Sequence, residues 1–441
     1  MSETFDWRRS VADKLVSPSE AAGIVQPGNR LWLGGWNSVP TTLCKALLGR
    51  KDELSDVHIY TFLSPFNWDV PDVERAFNLH IGYASPFDRK AIREGRFDLI
   101  PLAQWYTHAM PPGFDWDYDV AMMPISPPDR HGYCSFGPAL WFGPSVSKRA
   151  KLLVGEVHPN FIRTGGENFI HVSRFARLAE ADPPLPPPIP PRSEETIYAA
   201  EVICTLIASE IVKDGCTLQM GVGDVSAALA VYLHGKHNLG IHTEIIPGGV
   251  AELVREGVVT GKYKTFHPGK ITGSCLVQMP QEEIDYIDGH PAFELYDFTY
   301  TDDLRNLLKI ENFVAVNNAL SADITGNVCS ESMGHSVFSG PGGQYVFATA
   351  ASTTSGGSVI VLPSSQLVNG TRVSRILPVL EPGSTATVHR AYVDYVVTEQ
   401  GIARLRGKSV RERIGELISV AHPDFRGELK QEAKRLHGIT A

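Results

Sequence analysis

The stretch TLQMGVGDVSAALAVYLHGKHNLGIHTE, residues 217–244, decides the fold class. It begins with an apolar run, turns through two glycines, continues as the helical pattern SAALAVYLHG and returns to a second apolar run, LGIHTEI at 239–245. A strand, a tight turn, a helix and a second strand form one repeat of a parallel sheet, because parallel strands need a crossover connection. The stretch therefore predicts an open α/β sheet whose ligands gather at the carboxyl ends of its strands.

Similar apolar or β-branched runs occur throughout the chain and predict further buried strands. In the first half they are LWLGG at 31–35, VHIYTFL at 57–63, FDLIPLA at 97–103, VAMMPIS at 120–126 and LLVGEV at 152–157. In the second half they include KITGSCLV at 270–277, FVAVNNAL at 313–320, SVIVLPSS at 358–365 and VDYVVTE at 393–399. Helical patterns lie between some of these runs, so each half is predicted to be an α/β domain with a largely parallel sheet.

A proline-rich segment separates the two halves. Seven prolines in AEADPPLPPPIPPRSEE, residues 179–195, fix an extended backbone and remove hydrogen-bond donors. The next helix is predicted to begin after Ser193 as N-cap and to end before Gly215. We therefore predict an N-terminal domain over 1–181, a linker over 182–192 and a C-terminal domain over 193–441.

Composition excludes several function classes. Of the 441 residues 43% are hydrophobic and 20% charged, and no run approaches the ~18 apolar residues of a membrane span. The net charge of −9 argues against a nucleic-acid partner, although backbone N–H groups could still receive an anionic ligand. The N-terminus lacks a secretory pattern, so we expect a cytoplasmic protein. The six cysteines are scattered singly, and we expect no metal site and no redox pair.

The turn Gly221-Val222-Gly223-Asp224-Val225 is a candidate anion-binding loop. Its N–H groups lie between a strand and the start of a helix, where the helix dipole favours negative charge. An ordinary tight turn that requires small residues explains a lone GxG pattern at least as well. Ser226 replaces the third glycine of a dinucleotide-binding fingerprint, so that class of ligand is not predicted.

Glu244 follows the strand that contains His242, at the edge where open α/β sheets bind their ligands. Taken alone, a glutamate in this place is more often a helix cap or an ion-pair partner than a catalytic group. His242 is more often a hydrogen-bonded core histidine than a metal ligand, because no second ligand has a suitable spacing.

Other strand ends carry polar or flexible groups. Asn317 and Asn318 end one apolar run, and Glu399 ends another, where a buried strand has no structural need for them. The loop SGPGGQ at 339–344 contains Gly340, Gly342 and Gly343, which let the backbone approach a ligand closely. Each feature alone is weak evidence for a site.

Ordered motifs extend over nearly the whole chain. They are SPPDRHGYCSFG at 126–137, EVHPNFIRTGG at 156–166, GVGDV at 221–225, GIHTE at 240–244, GVVTGKYKTFHPGKI at 257–271, NNALSADITGNVCSES at 317–332, FSGPGGQ at 338–344, SRILP at 374–378, YVVTEQGIARLRGKS at 395–409 and AHPDFR at 421–426. In this order they resemble the acetyl-CoA hydrolase/transferase family, whose members include butyryl-CoA:acetate and 4-hydroxybutyrate CoA-transferases. The resemblance implies two open α/β domains of the CoA-transferase (NagB/RpiA-like) type.

The resemblance also implies an activity and a nucleophile. In the family, the glutamate of the motif that reads HTE here attacks an acyl-CoA, which gives that role to Glu244. The expected cycle is ping-pong, with an acyl-glutamyl anhydride and a glutamyl-CoA thioester as intermediates. CoA and a small carboxylic acid are then substrates, no permanently bound cofactor is expected, and a homodimer is implied.

Supporting roles follow from the same resemblance. The loop 221–225 is implied to lie on the CoA, and the glycine loop with Gly340, Gly342 and Gly343 is implied to help bind an oxyanion. Asn318 and Glu399 are expected to orient Glu244 or the acceptor acid.

Some positions depart from the family pattern. Pro341, Val346 and the pair Pro247-Gly248 replace other residue types, and the stretch 366–372 lacks a lysine that is thought to meet CoA in relatives. An acyl-CoA hydrolase that uses water as acceptor and a non-catalytic acyl-CoA sensor are therefore alternatives. Trp36 and Trp141 could line an acyl pocket, although aromatic residues of this kind more often belong to a packed core.

Overall fold

The computed structural model describes residues 5–101, 117–182, 193–221 and 223–440. The chain forms two compact units, one of Met1–Ile189 with Ser274–Thr301 and the other of Pro190–Gly273 with Asp302–Ala441. Apart from its first residue, the predicted linker over 182–192 lies outside the described residues.

The predicted domain boundaries need one correction, because residues 274–301 belong to the first unit and not to the C-terminal domain. The backbone explains this. The N–H of Leu276 donates to the carbonyl of Pro138 at 2.7 Å, and the N–H of Leu140 donates to the carbonyl of Ser274 at 3.0 Å. The segment is thus tied to the first unit by hydrogen bonds that sequence patterns do not reveal.

The described part of the first unit is built on a seven-stranded parallel sheet. Its strands are β1 (Arg30–Gly35), β2 (Val57–Phe62), β3 (Phe77–Ile81), β4 (Asp98–Leu99), β5 (Tyr118–Ile125), β6 (Ala150–Val157) and β7 (Phe175–Glu180). They lie in the order β7-β6-β5-β1-β2-β3-β4. Its helices include α1 (Trp7–Ser10), α2 (Pro18–Ala22), α3 (Thr41–Leu48), α4 (Asp88–Arg93) and α5 (Gly143–Arg149).

The second unit has a mixed sheet that is mostly parallel. Its strands are β8 (Thr217–Met220), β9 (Gly240–His242), β10 (Ile271–Gly273), β11 (Phe313–Asn318), β12 (Gly357–Val361), β13 (Tyr395–Thr398) and β14 (Gly401–Arg404). Within this unit they lie in the order β14-β13-β12-β11-β8-β9-β10, and only the hairpin of β13 and β14 is antiparallel among these described pairs.

The remaining helices are α6 (Glu194–Leu206), α7 (Asp224–Ala228), α8 (Val250–Arg255), α9 (Gln281–Ile287), α10 (Phe298–Thr301), α11 (Leu304–Leu307), α12 (Gln344–Ser352), α13 (Val410–Ser419) and α14 (Pro423–His437). Short strands outside the two sheets include Tyr133–Cys134, Ile170–His171, Ile245–Pro247, Cys275–Val277, Ser321–Asp323, Val328–Cys329, Ser365–Val368, Thr371–Ser374 and Ile376–Leu377. The hydroxyl of Ser193 caps α6 as predicted, but α6 ends at Leu206 and a π-helical turn follows.

The predicted α/β architecture is confirmed. Most of the apolar runs fall on inner strands, because parallel strands are covered on both faces, whereas the run at 97–103 reaches the edge strand β4 and its last two residues lie outside the described residues. In β1, for example, Leu31 and Leu33 are fully buried. Among the labelled strands of the two sheets, β3, β7 and β14 were missed. Buried and partly exposed residues alternate in β3, and none of the three strands is a continuous apolar run.

The predicted aromatic residues form a packed cluster in the first unit. The rings of Trp36 and Trp141 stack at 6.3 Å, and Trp141 also contacts Phe62 at 5.2 Å and Phe298 at 4.6 Å between ring centroids. Trp141 is 2% exposed, so core packing accounts for it, and an acyl pocket at these residues stays a prediction.

Membrane-spanning helices and metal-binding clusters would each indicate a class of function. No helix in the described residues is long and apolar enough to cross a membrane. Within the same residues, no cluster of three or more His, Cys, Asp or Glu side chains is arranged to hold a metal ion. The six cysteines are buried, and none of them is in a disulfide bond.

Candidate active site

Three neighbouring parallel strands of the second unit end at one edge of its sheet. β8 pairs with both β9 and β11. The loop over 221–225 follows β8, and Glu244 follows β9 after one residue. Asn317 and Asn318 are the last two residues of β11. The sheet therefore brings together most of the predicted site residues of this unit.

Thr243 fixes the backbone immediately before Glu244. Its Oγ1 lies 2.9 Å from the carbonyl oxygen of Met220 and accepts a hydrogen bond from the Met220 N–H at 3.2 Å. Thr243 is fully buried, whereas Glu244 keeps a small accessible surface. The residue before the candidate nucleophile is thus anchored to the end of β8, and Glu244 is less completely buried than Thr243.

Gly343 directly contacts the Glu244 carboxyl group. Its N–H donates a hydrogen bond to Glu244, and a β-carbon at position 343 would lie 2.3 Å from Glu244 Oε2. Gly343 precedes α12, so the carboxylate lies where the helix dipole is positive. The φ angle of Gly343 is −87°, so space rather than backbone conformation requires a glycine here.

A second carboxyl group, that of Asp302, lies beside the first. Asp302 is 0% exposed, and its side chain forms a hydrogen bond with Glu244. The β-carbon imagined at Gly343 would lie 2.4 Å from Asp302 Oδ2, so both acidic side chains converge above this glycine. Burial raises the pKa of Glu244 to about 7, against the lowering effect of the Asp302 and Gly343 hydrogen bonds.

The predicted anion-binding loop is supported from behind by the two asparagines, while Val222 lies outside the described residues. A β-carbon on Gly221 would lie 3.0 Å from Asn317 Oδ1, and one on Gly223 would lie 2.6 Å from the Asn318 side chain. Gly223 also has a φ angle of +120°, which other residues rarely adopt. Gly223 is therefore required where the loop meets the end of β11, and a side chain at position 221 would press against Asn317.

Hydrogen bonds fix the asparagines in these places. Asn317 exchanges two hydrogen bonds with Gln219, at 2.9 and 3.1 Å. The side-chain amide of Asn318 donates to Ser226 Oγ at 2.7 Å. The main-chain carbonyl oxygen of Asn318 accepts a hydrogen bond from Gln344 Nε2 at 3.2 Å. Asn318 thus links the loop over 221–225 to the start of α12, which follows Gly343. The predicted cofactor-binding residues Asp224 and Val225 lie at the start of α7 in the same segment.

Glu399 is hydrogen-bonded to Ser364 and not to Glu244 in the described part of the chain. Its carboxylate accepts from the N–H of Ser364 at 2.9 Å and from the Ser364 hydroxyl, and Gln400 Nε2 donates to it at 3.3 Å. Among the described residues it makes no hydrogen bond to Glu244. Arg375 is close enough for its charge to interact with both Glu399 and Asp224. The structure therefore places Glu399 at the next strand ends, β12 and β13, and not on the nucleophile.

A buried lysine that contacts β9 and β10 was not predicted from the sequence. Lys264 is 3% exposed, and its Nζ donates to the carbonyl oxygens of Ile241 at 2.7 Å and Lys270 at 2.6 Å and to Thr272 Oγ1 at 3.1 Å. Its charged group thus bridges β9 and β10, directly before Glu244. Its neighbours along the chain, Tyr263 and Thr265, do not distinguish Lys264 from the exposed Lys262, so the sequence carries no signal for this burial.

Comparison with known proteins agrees with this geometry. The sequence profiles of the acetyl-CoA hydrolase/transferase N-terminal and C-terminal domains match residues 1–191 and 280–433. The 4-hydroxybutyrate coenzyme A transferase of Clostridium kluyveri is 35% identical over 434 residues, which cover 98% of this chain and 100% of that protein. This chain belongs to the acetyl-CoA hydrolase/transferase family. The family expected from the sequence motifs is thereby confirmed.

Two further members show how far the similarity extends. The succinyl-CoA:cyclohexane-1-carboxylate CoA transferase of Geobacter metallireducens is 35% identical over 441 residues, which cover 98% of each chain. The crystal structure of RipA from Yersinia pestis superposes with a TM-score of 0.88 at 31% identity, covering 99% of this chain and 100% of that chain.

Proposed function

We propose that this CoA-transferase moves coenzyme A between an acyl-CoA and a small carboxylic acid through covalent intermediates on Glu244. The observation that carries the proposal is the contact of the Glu244 carboxyl group with the Gly343 N–H, at the edge of the sheet that also holds the loop over 221–225. CoA-transferases that act on different acids match this chain over 98% of its length, which favours transfer over hydrolysis.

The first half-reaction loads CoA onto the enzyme. The Glu244 carboxylate attacks the thioester carbonyl carbon, the tetrahedral oxyanion collapses, and the C–S bond breaks to release CoA thiolate and leave an acyl-glutamyl anhydride. The thiolate then attacks the Glu244 carbonyl carbon, and the donor acid leaves as a carboxylate. The product is a glutamyl-CoA thioester, so the thioester energy is retained.

The second half-reaction reverses these steps with another acid. The acceptor carboxylate attacks the glutamyl-CoA carbonyl carbon and displaces CoA thiolate, which then attacks the acyl carbon of the new anhydride. A new acyl-CoA leaves, and Glu244 returns as a carboxylate. No net proton is taken up or released in the cycle.

The chain supplies positioned hydrogen-bond donors for these steps. In the proposed cycle, the Gly343 N–H at the start of α12 stabilises oxyanions, and such a donor is worth about 3 kcal/mol. The loop over 221–225, supported by Asn317 and Asn318, receives the CoA moiety on its N–H groups. Glu399 and Ser364 lie at the adjacent strand ends, where they contribute to the acid-binding side of the proposed site.

Trapping the covalent intermediate tests this function. The enzyme would be incubated with an acyl-CoA, without an acceptor acid, and the peptide containing Glu244 analysed by mass spectrometry before and after hydroxylamine treatment. We expect a CoA adduct on Glu244 that hydroxylamine removes, and none in Glu244→Gln. Glu252→Gln, an exposed glutamate on α8, is the matched control and should form the adduct normally.

The acceptor requirement separates transfer from the alternatives. In a panel of acyl-CoAs and carboxylates, a transferase forms new acyl-CoA only when the acid is present. Steady CoA release without any acid would indicate a hydrolase instead. Absence of an adduct with every acyl-CoA tested would leave an acyl-CoA sensor as the function.

The family resemblance also underlies our proposal that the enzyme is a cytoplasmic homodimer. Light scattering during size-exclusion chromatography should give twice the mass of one chain. A monomeric mass at micromolar concentration would contradict this part of the proposal.

A further inference from the structure

Asp302 is a second acidic group at the proposed nucleophile that the catalytic scheme above does not use. It follows α10 and is fully buried. The adjacent Asp303 has a different role, because it caps α11 and binds the Arg305 guanidinium at 2.6 Å. The two neighbouring aspartates therefore differ: Asp303 is paired with the exposed Arg305, and Asp302 faces Glu244.

The geometry of the pair requires a proton. The Asp302 and Glu244 side chains are hydrogen-bonded to each other, and one oxygen of each lies within 2.4 Å of the same point above Gly343. Two carboxylates only accept hydrogen bonds, so one of the two must be protonated in this arrangement. Like charges this close in a buried place cannot both be stable.

Burial indicates which group carries the proton. Asp302 is 0% exposed, whereas Glu244 keeps accessible surface and also accepts the Gly343 N–H. A negative charge is less costly on the residue that is less completely buried and has an additional hydrogen-bond donor. The favoured state is therefore anionic Glu244 beside neutral Asp302.

We propose that Asp302 acts as a neutral carboxylic acid in this site, donating a hydrogen bond to Glu244 in the resting enzyme and to the Glu244 oxyanion during catalysis. This role rests on the proposed function of Glu244 as nucleophile. When CoA thiolate attacks the Glu244 carbonyl carbon, the C–S bond forms and the carbonyl electron pair moves to the oxygen. Asp302 stabilises that oxygen through its O–H, and the oxyanion then collapses with departure of the acid. The proton stays on Asp302 throughout.

Two substitutions distinguish the hydrogen-bond donor function of Asp302 from its ability to ionise. Asp302→Asn keeps a donor, the amide N–H, but cannot ionise, and Asp302→Ala removes the donor. We expect kcat to fall about 100-fold in Asp302→Ala, in line with loss of one oxyanion donor, with little change in the KM for acyl-CoA. Asp302→Asn should keep at least about a tenth of the wild-type kcat, since its donor remains. Asp303→Asn is the matched control and should behave as wild type.

The pH profile is a readout that a merely structural role would not change. Wild-type activity should rise as Glu244 ionises and fall at higher pH as Asp302 loses its proton. Asp302→Asn should keep the rise and lose the alkaline fall. If Asp302→Ala does not fold, as judged by circular dichroism, the profile of Asp302→Asn still decides.

Other results would overturn the role of Asp302. Wild-type kcat in Asp302→Ala would do so, as would an alkaline fall that persists in Asp302→Asn, or Asp302→Asn as slow as Asp302→Ala. These outcomes are distinguishable from failure of the proposed function, because the wild-type enzyme would still form the CoA adduct on Glu244. Absence of that adduct in the wild type would instead remove the basis of both proposals.

Discussion

Gly343 and Glu244 are in such close contact that a β-carbon on the glycine would lie 2.3 Å from Glu244 Oε2. Real β-carbons do not come this close to other atoms, so a side chain at position 343 must displace the carboxyl group. The proposed nucleophile therefore depends on the absence of a side chain opposite it.

Gly343→Ala tests this dependence. Its φ of −87° suits alanine, so we expect the protein to fold, with kcat reduced about 100-fold or more because Glu244 moves from its reactive position. Steady-state kinetics and circular dichroism would measure both effects. Gly415→Ala on α13 is the matched control, since nothing lies within 4 Å of a β-carbon there. Wild-type kcat in Gly343→Ala would contradict the proposed position of the attacking carboxylate.

The raised pKa of Glu244 predicts how activity depends on pH. Burial brings this pKa to about 7, and only the anion can attack a thioester. We expect kcat/KM at limiting acyl-CoA to increase with pH and to level off above about pH 7 before any alkaline fall. An activity unchanged between pH 5 and 8 would contradict an ionising nucleophile with this pKa.

The same pKa predicts that Glu244 lowers the stability of the fold. A folded-state pKa of about 7, above the ordinary 4.5, means that the stabilising protonated form is present at low pH and lost as pH rises through 7. Glu244→Gln, which needs no ionisation, should therefore unfold at a higher temperature than wild type at pH 8, with the difference disappearing near pH 4.5. Thermal melts at both pH values would measure this, and equal midpoints at pH 8 would count against it.

The sequence predicted the site residues best where they lie at the carboxyl ends of predicted strands. The apolar runs of β8, β9 and β11 predicted three parallel strands, and the carboxyl ends of such strands necessarily share one edge. The sequence alone therefore predicts that Glu244 and the loop over 221–225 lie near each other. Residue patterns also flagged Asn317 and Asn318 as polar groups without a strand role, although their partners in the loop could not be identified.

The residues that contact Glu244 and β9 from distant segments of the chain could not be predicted from sequence patterns. Asp302 reaches Glu244 from a connection after α10, and neither periodicity nor spacing encodes that approach. Lys264 likewise supports β9 from a loop. Glu399 was expected to orient Glu244 or the acceptor acid. Its carboxylate accepts a hydrogen bond from Ser364, which follows the neighbouring strand β12, and this partner could not be read from the sequence. Strand ends are thus predictable as a group, whereas individual side-chain pairs are not.

Asn318 is predicted to act on CoA binding through the loop it supports. Asn318→Ala removes the hydrogen bond to Ser226 Oγ at 2.7 Å and leaves a gap behind Gly223. Loss of about 1 kcal/mol of loop ordering would raise the KM for acyl-CoA roughly 5- to 10-fold. We expect kcat at saturating acyl-CoA to change less than KM. A large fall in kcat at unchanged KM would instead favour the direct orienting role first predicted for this residue.

Lys264 is predicted to position the strand that leads to Glu244. Its side chain crosses Gly240, where a β-carbon would lie 2.4 Å from Lys264 Cγ, and its Nζ holds the Ile241 and Lys270 carbonyls. In Lys264→Met these buried carbonyls lose their donor, which we expect to cost about 2–4 kcal/mol of unfolding free energy.

The Lys264→Met enzyme should also be slower, because the backbone before Glu244 is no longer fixed. Lys262→Met is the matched control: Lys262 is exposed and lies over the Tyr263 ring at 5.3 Å, so its loss should change stability by less than about 0.5 kcal/mol. Urea unfolding and kcat would be measured for both variants. If the two were equally stable and equally active, the buried ammonium would have no positioning role at Glu244.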